Sequence, residues 1–106
     1  MNNKDVIINK LLSFISSSST ENISTAIYRN TDLSQLLTEQ YRGYLFIAKM
    51  FKDEYKDDLS KLEVKDVLSI LSKERPDLYK VITEYPNNKG ILWLNFNIKN
   101  LKRVLL

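Results

Sequence analysis

The residues best placed to do chemistry are the carboxylates Asp53, Glu54, Asp57 and Asp58, the hydroxyl run Ser16 to Thr20, and the basic side chains near the C-terminus. Clustered carboxylates suit a hard cation, but an EF-hand loop also needs alternating oxygen ligands, a central glycine and a terminal glutamate. This cluster has none of that pattern and reads as a solvated turn. The hydroxyl run lacks an adjacent base to activate a nucleophile. Lys65-Asp66 and Lys73-Glu74 read as ordinary helix-surface charges. The chain has no Cys and no His, which removes thiolate chemistry, disulfides and the commonest general base and zinc ligand. Gly43 and Gly90 are the only glycines, too few for a phosphate-cradling loop. No catalytic, cofactor-binding or metal-binding residue is expected, and the chain reads as a non-enzyme.

Binding residues are easier to nominate. In the last segment Ile91, Leu94, Ile98, Leu101 and Leu105 recur at helical spacing and are expected to face the core. On that wheel Asn95, Lys99, Lys102 and Arg103 share one exposed flank, and these are groups that contact phosphates. Trp93 and Phe96 fall away from the core stripe, and Leu92 lies beside the basic flank. Large apolar residues displaced from a core suit burial against another molecule, and Trp is a frequent interface anchor. The competing reading has the short helix over 21–28, or the N-terminal helix, cover Trp93 and make it core.

Two functional readings follow. In the first, a protein partner docks on Leu92, Trp93 and Phe96, with Lys99, Lys102 and Arg103 as rim charges. In the second, Asn95, Lys99, Lys102 and Arg103 bind nucleic acid directly. A subunit of a nucleic-acid-processing, viral or defence complex would fit either. Tyr41, Arg42 and Tyr44 suggest base stacking, but both tyrosines lie on a core stripe. Helices over 60–74 and 76–85 are closely joined, as in a helix-turn-helix. The second would present Asp77, Lys80, Thr83 and Glu84, and its two acids would be repelled by phosphate.

The elements that must carry these residues are helices. A helix over 4–16 buries Ile7, Ile8, Leu11, Leu12, Phe14 and Ile15, and the serine run after it favours a loop. A short helix over 21–28 turns Ile23, Ala26 and Ile27 inward. Asp32 and Gln35 have capping-box spacing and open the longest helix, about 33–56. There Leu37, Tyr41, Tyr44, Ala48, Phe51 and Tyr55 form one stripe, and further apolar residues on the other side predict a central, doubly buried helix. Ser60 and Glu63 form a second capping box, with Leu59 and Val64 as its hydrophobic staple. That helix is expected to bury Val64, Val67, Leu68 and Leu71 and to end before Pro76. The helix from Pro76 buries Leu78, Tyr79, Val81, Ile82 and Tyr85. Pro86 to Gly90 is a turn cluster. Residues 94–98 alternate as a strand would, but the longer helical match over 90–105 prevails.

Length and composition agree. At 106 residues the chain is one domain, and Gly 2 with Pro 2 leaves few turns, which favours few, long elements. The expected fold is all-α: a compact bundle of five or six helices around a central helix of about residues 33–56. The alternative is a small α+β winged-helix-like domain with a C-terminal strand. The apolar stretch from Val6 to Ile15 is interrupted by Asn9, Lys10 and Ser13, and no apolar run approaches the roughly 18 residues of a membrane span. A cytoplasmic location and no membrane partner are expected. Net charge is +3, and residues 76–106 hold 5 bases against 2 acids, so an anionic partner would meet the C-terminal third.

Overall fold

The computed structural model describes residues 18–31, 49, 57 and 60–105. The expected helix over 4–16 and the body of the expected central helix over 33–56, with its tyrosine stripe, lie outside the described residues. Four α-helices and one 3-10 turn are described: α1 (Thr20–Arg29), α2 (Val64–Glu74), α3 (Pro76–Glu84), the turn Pro86–Asn88, and α4 (Lys89–Leu105). The protein is helical, with no strand among the described residues. Its Cα radius of gyration of 12.9 Å is close to the roughly 13 Å of a folded domain of about 100 residues.

Several helix boundaries have local causes. The Ser19 hydroxyl accepts from the Asn22 amide at 3.1 Å and caps α1, a serine at an N-cap position satisfying one of the helix's orphan donors. Asn30 closes α1 in the left-handed region at φ 55°, which asparagine tolerates better than most residues. Its amide, and that of Thr31, return to the carbonyls of Ile27 and Ala26.

The start of α2 corrects the expectation at Ser60. Ser60 is no N-cap here: its Oγ donates to the Asp57 carbonyl at 2.7 Å. The N-cap is Glu63, and the Glu63 amide donates to the Asp66 carboxylate at 2.9 Å. The same reciprocal logic operates three residues later, because Glu63 and Asp66 have the spacing that Ser60 and Glu63 also have. The helix therefore begins at Val64, one turn inside the expected start.

Arg75 separates α2 from α3, and Pro76 opens α3 at the first-turn position where its missing N–H costs nothing. The Arg75 guanidinium donates to both Asp77 carboxylate oxygens, at 3.0 and 2.8 Å, and holds that carboxyl below the usual range. It also reaches the Ser18 carbonyl ahead of α1 at 3.4 Å, tying the junction to the first described segment. After α3, Asn87 and Asn88 both take positive φ, 62° and 56°, and make the reversal into α4.

Ile23, Ala26 and Ile27 of α1 form one core with Leu62, Val67, Leu71, Leu78, Ile82, Trp93, Leu94 and Ile98. Val64, Leu68, Val81, Tyr85 and Ile91 pack against it only partly buried, and Tyr79, expected in the core, is 37% exposed. The void among Ile23, Val67, Leu71, Leu78, Ile82, Trp93 and Leu94 is about 10 Å³. That is at the lower limit for one water, and its apolar lining would not hold one. Helices α4 and α3 come close together at Gly90, where a Cβ would collide with the Ile82 carbonyl of α3. Gly90 therefore serves the packing of α4 on α3, while the asparagines make the turn.

Candidate interaction face

Helix α4 carries every residue nominated for binding, so its rotation decides what each can touch. Trp93, Leu94, Asn97 and Ile98 are buried, and Gly90 sits against α3. With 100° per residue, this set is centred about 50° away from the Ile91, Leu94, Ile98, Leu101, Leu105 stripe. The side chains of Leu101 and Leu105 lie outside the described ones.

The rotation corrects the placement of Trp93. It is 2% exposed, and its Nε1–H donates to the Thr31 carbonyl, just beyond α1, at 2.6 Å. A buried indole needs such a partner for its one polar atom. The competing reading, in which the short helix covers Trp93, is therefore the one realised. Trp93 belongs to the core, away from the surface where a partner would meet it. Asn97 is buried beside it and donates from Nδ2 to the Trp93 carbonyl at 2.8 Å.

The other nominated apolar residues are on the outside. Leu92 is 63% exposed and Phe96 is 45% exposed. Lys99 and Arg103 are exposed, while Asn95 and Lys102 are half-buried. With Trp93 buried, the apolar residues left outside lie among the basic ones. Lys89, Leu92, Phe96, Lys99 and Arg103 follow one another at intervals of three, four, three and four, so they share an arc of about 80° on a helix. Leu92 and Phe96 form the apolar centre of this arc, and Lys89, Lys99 and Arg103 its charged ends; we call it the seam.

Each end of the seam has a neighbour. At its start, Lys89 Nζ lies 5.2 Å from the centroid of the Tyr28 ring and donates to the Tyr28 carbonyl at 2.7 Å, with Tyr28 itself 70% exposed. At its far end, Arg103 donates to the Asn100 side chain at 2.6 Å. Beside Lys99, an open groove of about 360 Å³ runs between α4 and the start of α2. Leu62, Val64 and Ile98 form its apolar part, and Glu63, Lys65, Asn95, Lys99 and Lys102 its polar part. Glu63 pairs with Lys65 at 3.2 Å.

Sequence reasoning missed Lys65 and Tyr28. Both reach the α4 surface from elements distant in sequence, and no local spacing signals that. It also missed the seam, because the wheel was centred on the wrong stripe. The expected outward set on α3 is as read: Asp77, Lys80 and Glu84 are exposed and Thr83 is half-buried. Of the acidic cluster near 53–58, only Asp57 is among the described residues.

Residues 89–105 contain four bases, Lys89, Lys99, Lys102 and Arg103, and no acid. The face is thus apolar in the middle and cationic at both ends. No helix among the described residues is long and apolar enough to cross a membrane. No protein-family model, no curated protein and no solved structure matches this chain.

Proposed function

We propose that the protein is a non-catalytic interaction subunit that docks a protein partner on the outer face of α4, with Leu92 and Phe96 as anchors. The observation that carries this reading is the exposure of those two side chains on one helical arc. Single exposed apolar residues are normal on any surface. Two large ones adjacent on a helix, flanked by charge, have the make-up of a small interface: an apolar centre with a polar rim. Lys99, Lys102 and Arg103 supply the rim. Trp93, buried in the core, is not among the anchors.

A second reading, direct nucleic-acid binding, draws support from Asn95, Lys99 and Lys102, which line one groove with Lys65 and its ion-pair partner Glu63. Phosphate contacts by such lysines would hold a nucleic acid without reading its sequence. Leu92 and Phe96 have no part in that mode, and the protein-partner reading accounts for more of the face.

Affinity purification from the native cell, with and without nuclease, separates the two. The first reading expects a protein that is retained after nuclease treatment and lost when Leu92→Ala and Phe96→Ala are combined. Recovery that disappears with nuclease, and is indifferent to that double substitution, would favour the second.

A further inference from the structure

We infer that the occupant of this face is an acidic amphipathic helix of the partner, lying antiparallel to α4 along the seam Lys89, Leu92, Phe96, Lys99, Arg103. The inference rests on the protein-docking reading and names the chemistry of its partner. Three observations lead to it.

The first is geometric. Leu92 and Phe96 stand one turn apart on the outer face of α4, and a helix laid along α4 can pack on both at once. From Lys89 to Arg103 the seam spans about 21 Å at 1.5 Å per residue, so a partner helix of about four turns covers it. The second is charge. Four bases and no acid between 89 and 105 call for carboxylates opposite. The same asymmetry disfavours a second copy of this chain, because α4 against α4 would set bases against bases. The third is polarity along the axis. Lys99, Lys102 and Arg103 gather at the C-terminal half of α4, whereas Lys89 at the other end is already engaged by Tyr28. Acidic residues are most stable near the N-terminus of their own helix. A partner helix whose acidic N-terminal turns lie over Lys99 and Arg103 therefore runs antiparallel to α4, and its later turns place apolar residues against Phe96 and Leu92.

The test is selection of a phage-displayed library of 16-residue helix-forming peptides on the full chain. Enriched sequences are expected to carry Asp or Glu in their N-terminal half and paired apolar residues three or four apart after it. A synthesised winner should bind at least tenfold more weakly to Phe96→Ala and to Lys99→Glu, with Lys99→Arg retaining binding and the circular dichroism of each variant unchanged. Failure to enrich, enrichment without acidic bias, or binding indifferent to those substitutions overturns the inference. Tighter binding of a 20-nucleotide oligothymidylate that competes with the winning peptide would assign the face to nucleic acid and also overturn it. A natural partner that depends on Leu92 and Phe96 but docks without an acidic helix would leave the interaction role standing and remove this inference alone.

Discussion

Replacing Trp93 tests whether the rotation of α4 is right, because one side chain has two opposite fates under the two wheels. Trp93 is 2% exposed, donates to the Thr31 carbonyl, and lines a void of only about 10 Å³ with six apolar neighbours from α1, α2, α3 and α4. Trp93→Ala should therefore cost about 3–5 kcal/mol, as large-to-small substitutions of buried aromatics do. Against a total stability of roughly 5–15 kcal/mol for a chain of this size, that variant will be marginal. Trp93→Phe keeps most of the ring volume and loses the indole N–H, so it should fold and cost about 1–2 kcal/mol, the lost bond plus a small packing defect. The assay is urea denaturation followed by far-ultraviolet circular dichroism, since the chain has one Trp and its removal takes the intrinsic indole signal with it. Wild-type emission should be blue-shifted and resistant to acrylamide. A Trp93→Ala variant within about 0.5 kcal/mol of wild type, the range of an innocuous surface change, would refute the packing argument, as would emission like that of free indole.

Other substitutions probe the remaining local arguments. Gly90→Ala should destabilise by several times the roughly 1 kcal/mol that favours Ala in an ordinary helix, because the Ile82 backbone in its way cannot rotate aside; a neutral or stabilising result in a thermal melt would contradict the close approach. Asp66→Ala should cost about 1 kcal/mol through loss of the reciprocal cap, while Ser60→Ala should be near neutral; the reverse order in denaturant midpoints would place the helix start at Ser60 after all. If the groove lysines do contact nucleic acid, affinity for a random duplex must fall steeply between about 50 and 200 mM salt, and neutralising Lys102 should lower the salt slope by about one. No binding at micromolar protein in low salt would remove the duplex reading.

Much of the described fold was legible in the residues. Pro76 and the 86–90 cluster locate the α2–α3 and α3–α4 junctions, and Ile23, Ala26 and Ile27 mark the inner face of α1. Residues 94–98 are helical despite their strand-like alternation, and within that helix Asn97 is buried and donates to the Trp93 carbonyl. Periodicity therefore counted a buried asparagine as outward. A pattern rule centres the buried face on Ile91, which packs against the core only partly buried, whereas the buried face here is set by the contact of Gly90 with the Ile82 backbone and of Trp93 with the Thr31 carbonyl, both on elements distant in sequence. The capping box at Ser60 failed for a different reason: two overlapping boxes share Glu63, and spacing alone does not choose between them. Of the nominated site, Leu92, Phe96, Lys99 and Arg103 are outside as read, and Trp93 is not. The contributions of Tyr28 and Lys65 depend on tertiary packing that no single-segment pattern encodes.

The most direct measurement of the proposed role is the Kd of the partner recovered by affinity purification, determined for wild type and Phe96→Ala at equal folding stability. A docking anchor should lose about 2 kcal/mol or more of binding, roughly thirtyfold in Kd, with the urea midpoint of the free protein unchanged. An unchanged Kd would contradict docking through the outer face of α4.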